Sequence, residues 1–274
     1  VCETVTVHLT RHHGLGNVFL VALVDEVPED ARERARQVCD PVTGIGADGL
    51  IIGTPVVLAS GASPTFTLFN RDGSRAEMSG NGLRCFGQAV ARANGVTDLE
   101  LVVATDAGPR RVSVFGGPTD PEVSATVDLG PAGPGPELEG PPIDLGGPDH
   151  GRLATVDVGN PHLVVEVVDP EAVDLAVVGP ALEARFTPEG CNVHLVAVVD
   201  RSSLLLRPWE RGVGLTEACG TGACAAAYAA HSWGLVDPVV EVIMPGGRAT
   251  VSVGDTLRLT GPATFIDEHE VDGG

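Results

Sequence analysis

Two short stretches carry the residue types best suited to chemistry. Glu77–Cys85 reads EMSGNGLRC and Glu217–Ala225 reads EACGTGACA, one pattern written twice, with Ser79 in the first copy where Cys219 stands in the second. In each, the Ser or Cys is followed by Gly-x-Gly and then by a helix-forming stretch. The glycines let the backbone approach a ligand closely, and the N–H groups of a helix's first turn can bind an anion. A thiol at this position also feels the positive end of the helix dipole, which is expected to lower its pKa and raise its thiolate fraction. Two such turns facing one another would hold a carboxylate between two helix N-termini and set one side chain on each face of the neighbouring carbon. That geometry removes an α-proton from one face and returns one from the other, with the helix ends stabilising the developing charge. A single Gly-x-Gly before a helix is equally a packing device; its doubling is what points to function.

The elements that must position these turns repeat as well. GLGN at Gly14–Asn17 precedes the Ser79 motif, and DVGN at Asp157–Asn160 precedes the Cys219 motif, with similar intervals, which predicts a two-fold internal repeat. The runs VFLVALVD, GLIIGTPVVLA, HLVVEVVD and NVHLVAVVD are β-branched and end in turn residues, so they read as strands. PEDARERARQVCD, acidic early and basic late, reads as a helix. A helix follows each motif, with Gly95 and Gly234 as the terminating glycines. The all-small ACAAA face of the second suits a helix buried at the centre of a curved sheet. The expected fold class is α+β, two similar domains each wrapped around a central helix. Between them, the Gly/Pro-rich stretch from Gly130 to Pro148 can hold neither a helix nor a central strand and is expected to be a connector or long loop.

Composition narrows the chemistry. The chain of 274 residues carries a formal charge of −20, which argues against nucleic acid or an anionic membrane as partner. All 17 basic residues are arginine. Without lysine there is no Schiff base to a substrate carbonyl or to pyridoxal phosphate, and no P-loop lysine. No cofactor is therefore expected. The six cysteines are irregularly spaced without a CxxC pair, and read as reduced thiols of a cytoplasmic protein. No apolar run approaches the length of a membrane span, and the first residues do not read as a signal peptide. Cys219 and Cys224 lack partners at metal-ligand spacing, so no metal site is expected. GLGNVF lacks the acidic residue that would complete a dinucleotide loop, and His12 and His13 read as structural or surface residues.

The ordered motifs HHGLGN, GIGADGL, FNRDGSRAEMSGNGLRCF, VGNPH, PEGCNV, WERGVGLTEACGTGACAAA, MPGG and LTGPATFI run through most of the chain. In them the sequence resembles the diaminopimelate epimerases, the pyridoxal-independent enzymes that interconvert LL- and meso-diaminopimelate for lysine and peptidoglycan synthesis. The resemblance implies two pseudo-symmetric domains, each a curved, mostly antiparallel sheet around a central helix, with the site in the cleft between them, and a homodimer. It assigns residues 1–130 with 266–274 to the first domain, 149–265 to the second and 131–148 to the connector. By position, Asn17, Asn70, Asn160 and Asn192 are the substrate-binding asparagines, and Glu210 with Arg211 grips the distal amino-acid end, where a zwitterion needs one anion and one cation. Gly80, Asn81, Gly220 and Thr221 supply backbone N–H groups to the reacting carboxylate. Cys219 is catalytic, the Ser79 position is its counterpart, and His162 stands beside the pair.

Three positions depart from that family pattern: Ser79 replaces the first catalytic cysteine, Leu215 a glutamate and Val18 an aspartate. A thiol ionises near ~8.5 and an alcohol closer to water's ~15.7. That gap of roughly 7 units is about 10 kcal/mol at ~1.36 per unit, of which a helix N-terminus returns at most ~2. Ser79 cannot act as a thiolate-like base. Three accounts stand open: an engineered replacement of cysteine; a natural serine with water or His162 carrying the proton; or a one-base reaction on a related amino acid. The changes at Leu215 and Val18 favour natural divergence. The alternatives to diaminopimelate epimerisation are inversion of another amino acid and a catalytically silent amino-acid binder.

Overall fold

The computed structural model describes residues 6–54, 63–146 and 150–272. Cys2, the end of the strand expected over GLIIGTPVVLA and the last residues of the expected connector lie outside them. The chain forms two compact units, Val1–Val127 with Gly261–Gly274, and Asp128–Thr260.

In the first unit, β1 (Thr6–Gly14) and β2 (Asn17–Leu23) form a hairpin, and α1 (Ala31–Cys39) crosses to β3 (Gly49–Gly53). There follow β4 (Phe66–Asn70), β5 (Arg75–Ala76), α2 (Gly80–Asn94), β6 (Leu99–Thr105), β7 (Gly108–Phe115) and β8 (Glu122–Gly130), the last running on past the boundary. The second unit opens with the two-residue β9 (Gly133–Pro134) and then repeats the order: β10 (Leu153–Asp157), β11 (Pro161–Glu166), α3 (Leu175–Glu183) and β12 (Asn192–Asp200). It continues through β13 (Ser203–Glu210), β14 (Gly214–Leu215), α4 (Gly220–Ser232), β15 (Val239–Met244), β16 (Gly247–Val253) and the start of β17 (Leu257–Asp272), whose residues from Gly261 on belong to the first unit.

The pairings repeat with the order. β1–β2 and β10–β11 are antiparallel hairpins, while β2–β3 and β11–β12 are parallel, because a helix carries the chain back in each case. β3–β4, β4–β5 and β6–β7 are antiparallel, as are β12–β13, β13–β14 and β15–β16. β13 runs parallel to β15, and among the described residues the first unit has a matching parallel bridge, Thr65–Ala104. The long β17 pairs with β16 through Leu257–Thr260 and with β1 through Thr264–Asp272.

Each unit closes its sheet around one helix. α2 is buried from Gly80 to Ala91 and packs on β1, β2, β4 and β7. A Cβ at Gly87 would stand 2.8 Å from Val114 Cγ2, so only glycine allows the helix this close to the sheet. α4 solves the same problem with alanines: Ala223, Ala225–Ala227, Ala229 and Ala230 are wholly buried against β10–β13, β15 and β16. Both helices end alike. Gly95 (φ 62°) and Gly234 (φ 74°) are left-handed, and Val96 N–H and Leu235 N–H reach back to the carbonyls of Ala91 and Ala230.

The Gly/Pro-rich segment does not stay a bare connector. Its β9 pairs with the end of β10, and Ile143 and Leu145 sink into the core with Leu163, Val165, Leu175 and Leu195. With Leu138 packed alongside and Arg185 donating to the Glu139 and Pro141 carbonyls, these contacts anchor it to the second unit. No described helix is long and apolar enough to cross a membrane.

Candidate active site: two capped turns

Both motif residues are helix N-caps of matching geometry. Ser79 (φ −141°, ψ 122°) caps α2, its Oγ accepting from Gly82 N–H at 3.0 Å. Cys219 (φ −128°, ψ 111°) caps α4, its Sγ accepting from Gly222 N–H at 3.3 Å. The Ser79 and Cys219 carbonyls take Leu83 and Ala223 N–H. The N–H groups of Gly80 and Asn81, and of Gly220 and Thr221, therefore lie ahead of the helical ladder, where a carboxylate can meet them. Asn81 turns its side-chain carbonyl inward, its Oδ1 accepting from the buried Arg84 at 2.9 Å.

The Cys219 turn is the more enclosed. Cys219 is 3% exposed, and the pKa of its thiol lies well above the ordinary thiol range. Burial is the main cause and the Glu210 carboxylate, to which the thiol donates, adds to it; Thr221 and Gly222 N–H oppose them. The expected depression by the helix N-terminus is thus outweighed: at rest Cys219 is a neutral thiol. Glu210 and Arg211, read as one grip, are engaged separately. The Glu210 carboxylate addresses the thiol, whereas Arg211 Nη1 donates to Glu189 O at 2.8 Å and its side chain lies over Gly190.

The asparagines are held by their own networks. Asn17 follows a two-residue hairpin turn in which Leu15 (φ 56°) and Gly16 (φ 84°) are both left-handed, as a tight I′ turn requires. Its Nδ2 donates to Asp48 at 3.0 Å, and Asp48 also accepts from Val18 N–H and Arg71. Asp48 sits inside the GIGADGL motif, yet sequence reasoning assigned it no role. Asn70 is exposed at the end of β4 and donates to Ser74 Oγ. Asn192 is buried, with Oδ1 accepting from Arg211 N–H and Nδ2 donating to Pro161 O, so its amide ties the Glu210–Arg211 loop to β11.

His162 is wholly buried and both ring nitrogens are taken, Nε2 by Asn160 Oδ1 and Nδ1 by His194 Nε2, each at 2.8 Å. Burial and the neighbouring charges hold its pKa well below the ordinary value. It is a neutral, fully bonded ring, so it has no nitrogen left for exchanging a proton with a ligand in this arrangement. His194 went unnoticed in the sequence; its signal is the i, i+2 spacing to Asn192, which sets both on one face of β12.

A turn holding a buried thiol against a carboxylate, on a doubled sheet-around-helix unit, defines the racemase and epimerase class of fold. Solved structures with this fold include a hydroxyproline epimerase from Agrobacterium vitis, with bound trans-4-hydroxy-L-proline (TM-score 0.71, 16% identity, 98% of this chain and 93% of that one). A probable proline racemase from Agrobacterium radiobacter aligns with TM-score 0.73 at 17% identity over the same shares. The diaminopimelate epimerase family model matches residues 9–133 and 154–266. Among curated relatives, the diaminopimelate epimerase of Methanothermobacter thermautotrophicus is 41% identical over 89% of each chain. That of Magnetococcus marinus is 36% identical over 96% of each. The chain belongs to the diaminopimelate epimerase family, and it is an isomerase of the epimerase type.

Proposed function

We propose that this protein inverts the α-carbon of diaminopimelate without a cofactor, with Cys219 as its competent acid/base and Ser79 limiting the opposite face. The observation that carries the reading is the matched pair of caps, two turns with one backbone geometry and one reactive atom each. Inversion needs one proton-exchanging group per face of the carbon. Cys219 serves one face: its thiol proton passes to the Glu210 carboxylate, and the thiolate so formed takes the α-proton. Backbone N–H groups at Gly220 and Thr221, and at Gly80 and Asn81, are assigned to carboxylate binding, which stabilises the carboxylate as the carbon becomes planar. Ser79 supplies only a hydroxyl on its face, so return of a proton there is the slow step.

Asn17, Asn70, Asn160 and Arg211 are assigned to the rest of the substrate, and Asn192 to holding the Arg211 backbone. The lysine and peptidoglycan pathways are the context in which such an enzyme works. The test is proton NMR of LL- and meso-diaminopimelate in D₂O. Deuterium exchange at the α-carbon that outpaces inversion is the expected result. No exchange with diaminopimelate, but exchange with another amino acid, would move the assignment to that substrate. Tight binding without any exchange would make the protein a silent binder.

A further inference from the structure

From the buried His162–His194 pair a chain of contacts leads, within the second unit, to the reactive thiol. His194 Nε2 meets His162 Nδ1 at 2.8 Å, with the rings stacked 5.0 Å apart, and His162 Nε2 meets Asn160 Oδ1 at 2.8 Å. Asn160 Nδ2 then reaches Thr221 Oγ1 at 3.5 Å, and Thr221 Oγ1 lies 3.6 Å from Cys219 Sγ. Every member can be turned round, so the chain has two directions. In one, each group donates toward the sulfur, and Thr221 ends by donating its O–H to Cys219. In the other, Thr221 gives its O–H to the Asn160 carbonyl, Asn160 donates to His162 and His162 to His194. The first gives the sulfur a donor and favours a thiolate; the second withholds that donor and favours a thiol.

The far end of the chain breaks the tie. His194 Nδ1 is buried and has no hydrogen-bond partner among the described residues. In the thiolate direction that nitrogen is a bare acceptor; in the thiol direction it is a buried N–H without an acceptor. Orphaned donors are rarer in folded proteins than under-satisfied acceptors. The Asn160 amide is oriented to match the thiolate direction, carbonyl to His162 and amino group to Thr221. The ring also lies against Gly222, where a Cβ would stand 2.4 Å from His194 Cε1, so His194 supports the turn whose N–H caps the sulfur.

We propose that His194 is a positioning residue that sets the direction of this hydrogen-bond chain, so that the hydroxyl of Thr221 donates to the Cys219 sulfur when the thiolate forms. This deepens the assignment of Cys219 as the acid/base and rests on that reading for its catalytic consequence, but not for its geometry.

The geometry is tested first on the unaltered protein by ¹⁵N NMR of the imidazoles, which needs no substrate. His162 protonated at Nε2 and bare at Nδ1, with His194 likewise protonated at Nε2, is the expected pattern; protonation of His162 at Nδ1 overturns the proposal. Two variants then test the consequence. His194→Gln keeps an N–H to give to His162, whereas His194→Leu does not. The turnover number for α-proton exchange should fall on the order of 10-fold in His194→Leu, the worth of one hydrogen bond to a charged group. KM should stay unchanged, and His194→Gln should recover most of the loss. Equal turnover in His194→Leu and the parent, or equal losses in both variants, would refute the directional role. Thr221→Val, which removes only the last donor, should match His194→Leu; parent-like turnover in it counts against the chain. If the parent shows no exchange on diaminopimelate while the NMR pattern holds, the substrate assignment fails and the chain's direction stands.

Discussion

Replacing Ser79 by cysteine tests the reading at its weakest point. The structure shows that the turn can hold a sulfur: Cys219 occupies the same cap with similar backbone angles and a cap bond only slightly longer, 3.3 Å against 3.0 Å. The substitution exchanges a good N-cap oxygen for a poorer sulfur acceptor, a loss of up to about 1 kcal/mol, or roughly 2–4 °C in Tm for a chain of this size. Against this stands the chemistry. The alcohol-to-thiol change removes most of a penalty of about 10 kcal/mol for forming the anion. Ser79 is also less buried than Cys219, so a thiol there is raised less by desolvation. If even ~4 kcal/mol of that gain appears in the barrier, inversion accelerates on the order of 10³-fold. The assay is NMR in D₂O, following exchange and inversion separately from each isomer, beside thermal unfolding. Exchange from the Cys219 face should change little while inversion rises to meet it. A Ser79→Cys protein that unfolds only a few degrees lower yet inverts no faster would refute the argument that the hydroxyl limits the reaction.

Three further outcomes follow from the geometry. Glu210→Gln removes the charge beside Cys219, so the thiol should ionise at lower pH, though still above the ordinary range because burial is the larger cause; epimerisation should nevertheless fall, since the acceptor of the thiol proton is gone. Thiolate absorbance titrated against a Cys219→Ala control reads the first effect, and an unchanged titration would contradict the contact. Gly222→Ala drives a methyl against the His194 ring, and overpacking of up to about 3 kcal/mol should exceed the ~1 kcal/mol gained in helix propensity, lowering the urea midpoint. Stability should fall as pH drops below about 6.5, because His12, held near 4, and His194, held near 3, bind protons in the unfolded chain before they do in the folded one. The stabilisation from His12 is complete above ~6.5 and is lost toward 4, at most about 3 kcal/mol, and a flat urea midpoint between pH 7 and 5 would count against it.

Much of the site was legible because it depends on local rules. Ser or Cys before Gly-x-Gly and a helix is a cap followed by open N–H groups, whatever the surrounding fold, and the structure places both residues as caps. The helix-ending glycines Gly95 and Gly234 were legible for the same reason. What the local pattern could not carry was the balance of environment. The same cap that should lower the Cys219 pKa sits where burial and Glu210 raise it, and both come from residues distant in the chain. Glu210 and Arg211 are adjacent in sequence, yet one addresses the thiol and the other the carbonyl of Glu189.

The sequence by itself determined the doubled architecture, the missing lysine that excludes imine chemistry, and the identity of the two atoms at the caps. These follow from residue type and short spacing, which survive any arrangement of the rest. Tertiary structure alone decided that Cys219 rests as a thiol, that the His162 ring has no nitrogen to spare, and that Asp48 and His194 matter. Their partners lie on strands brought together only by the closing of each sheet around its helix, and hydrogen-bond saturation and desolvation act over those few ångströms.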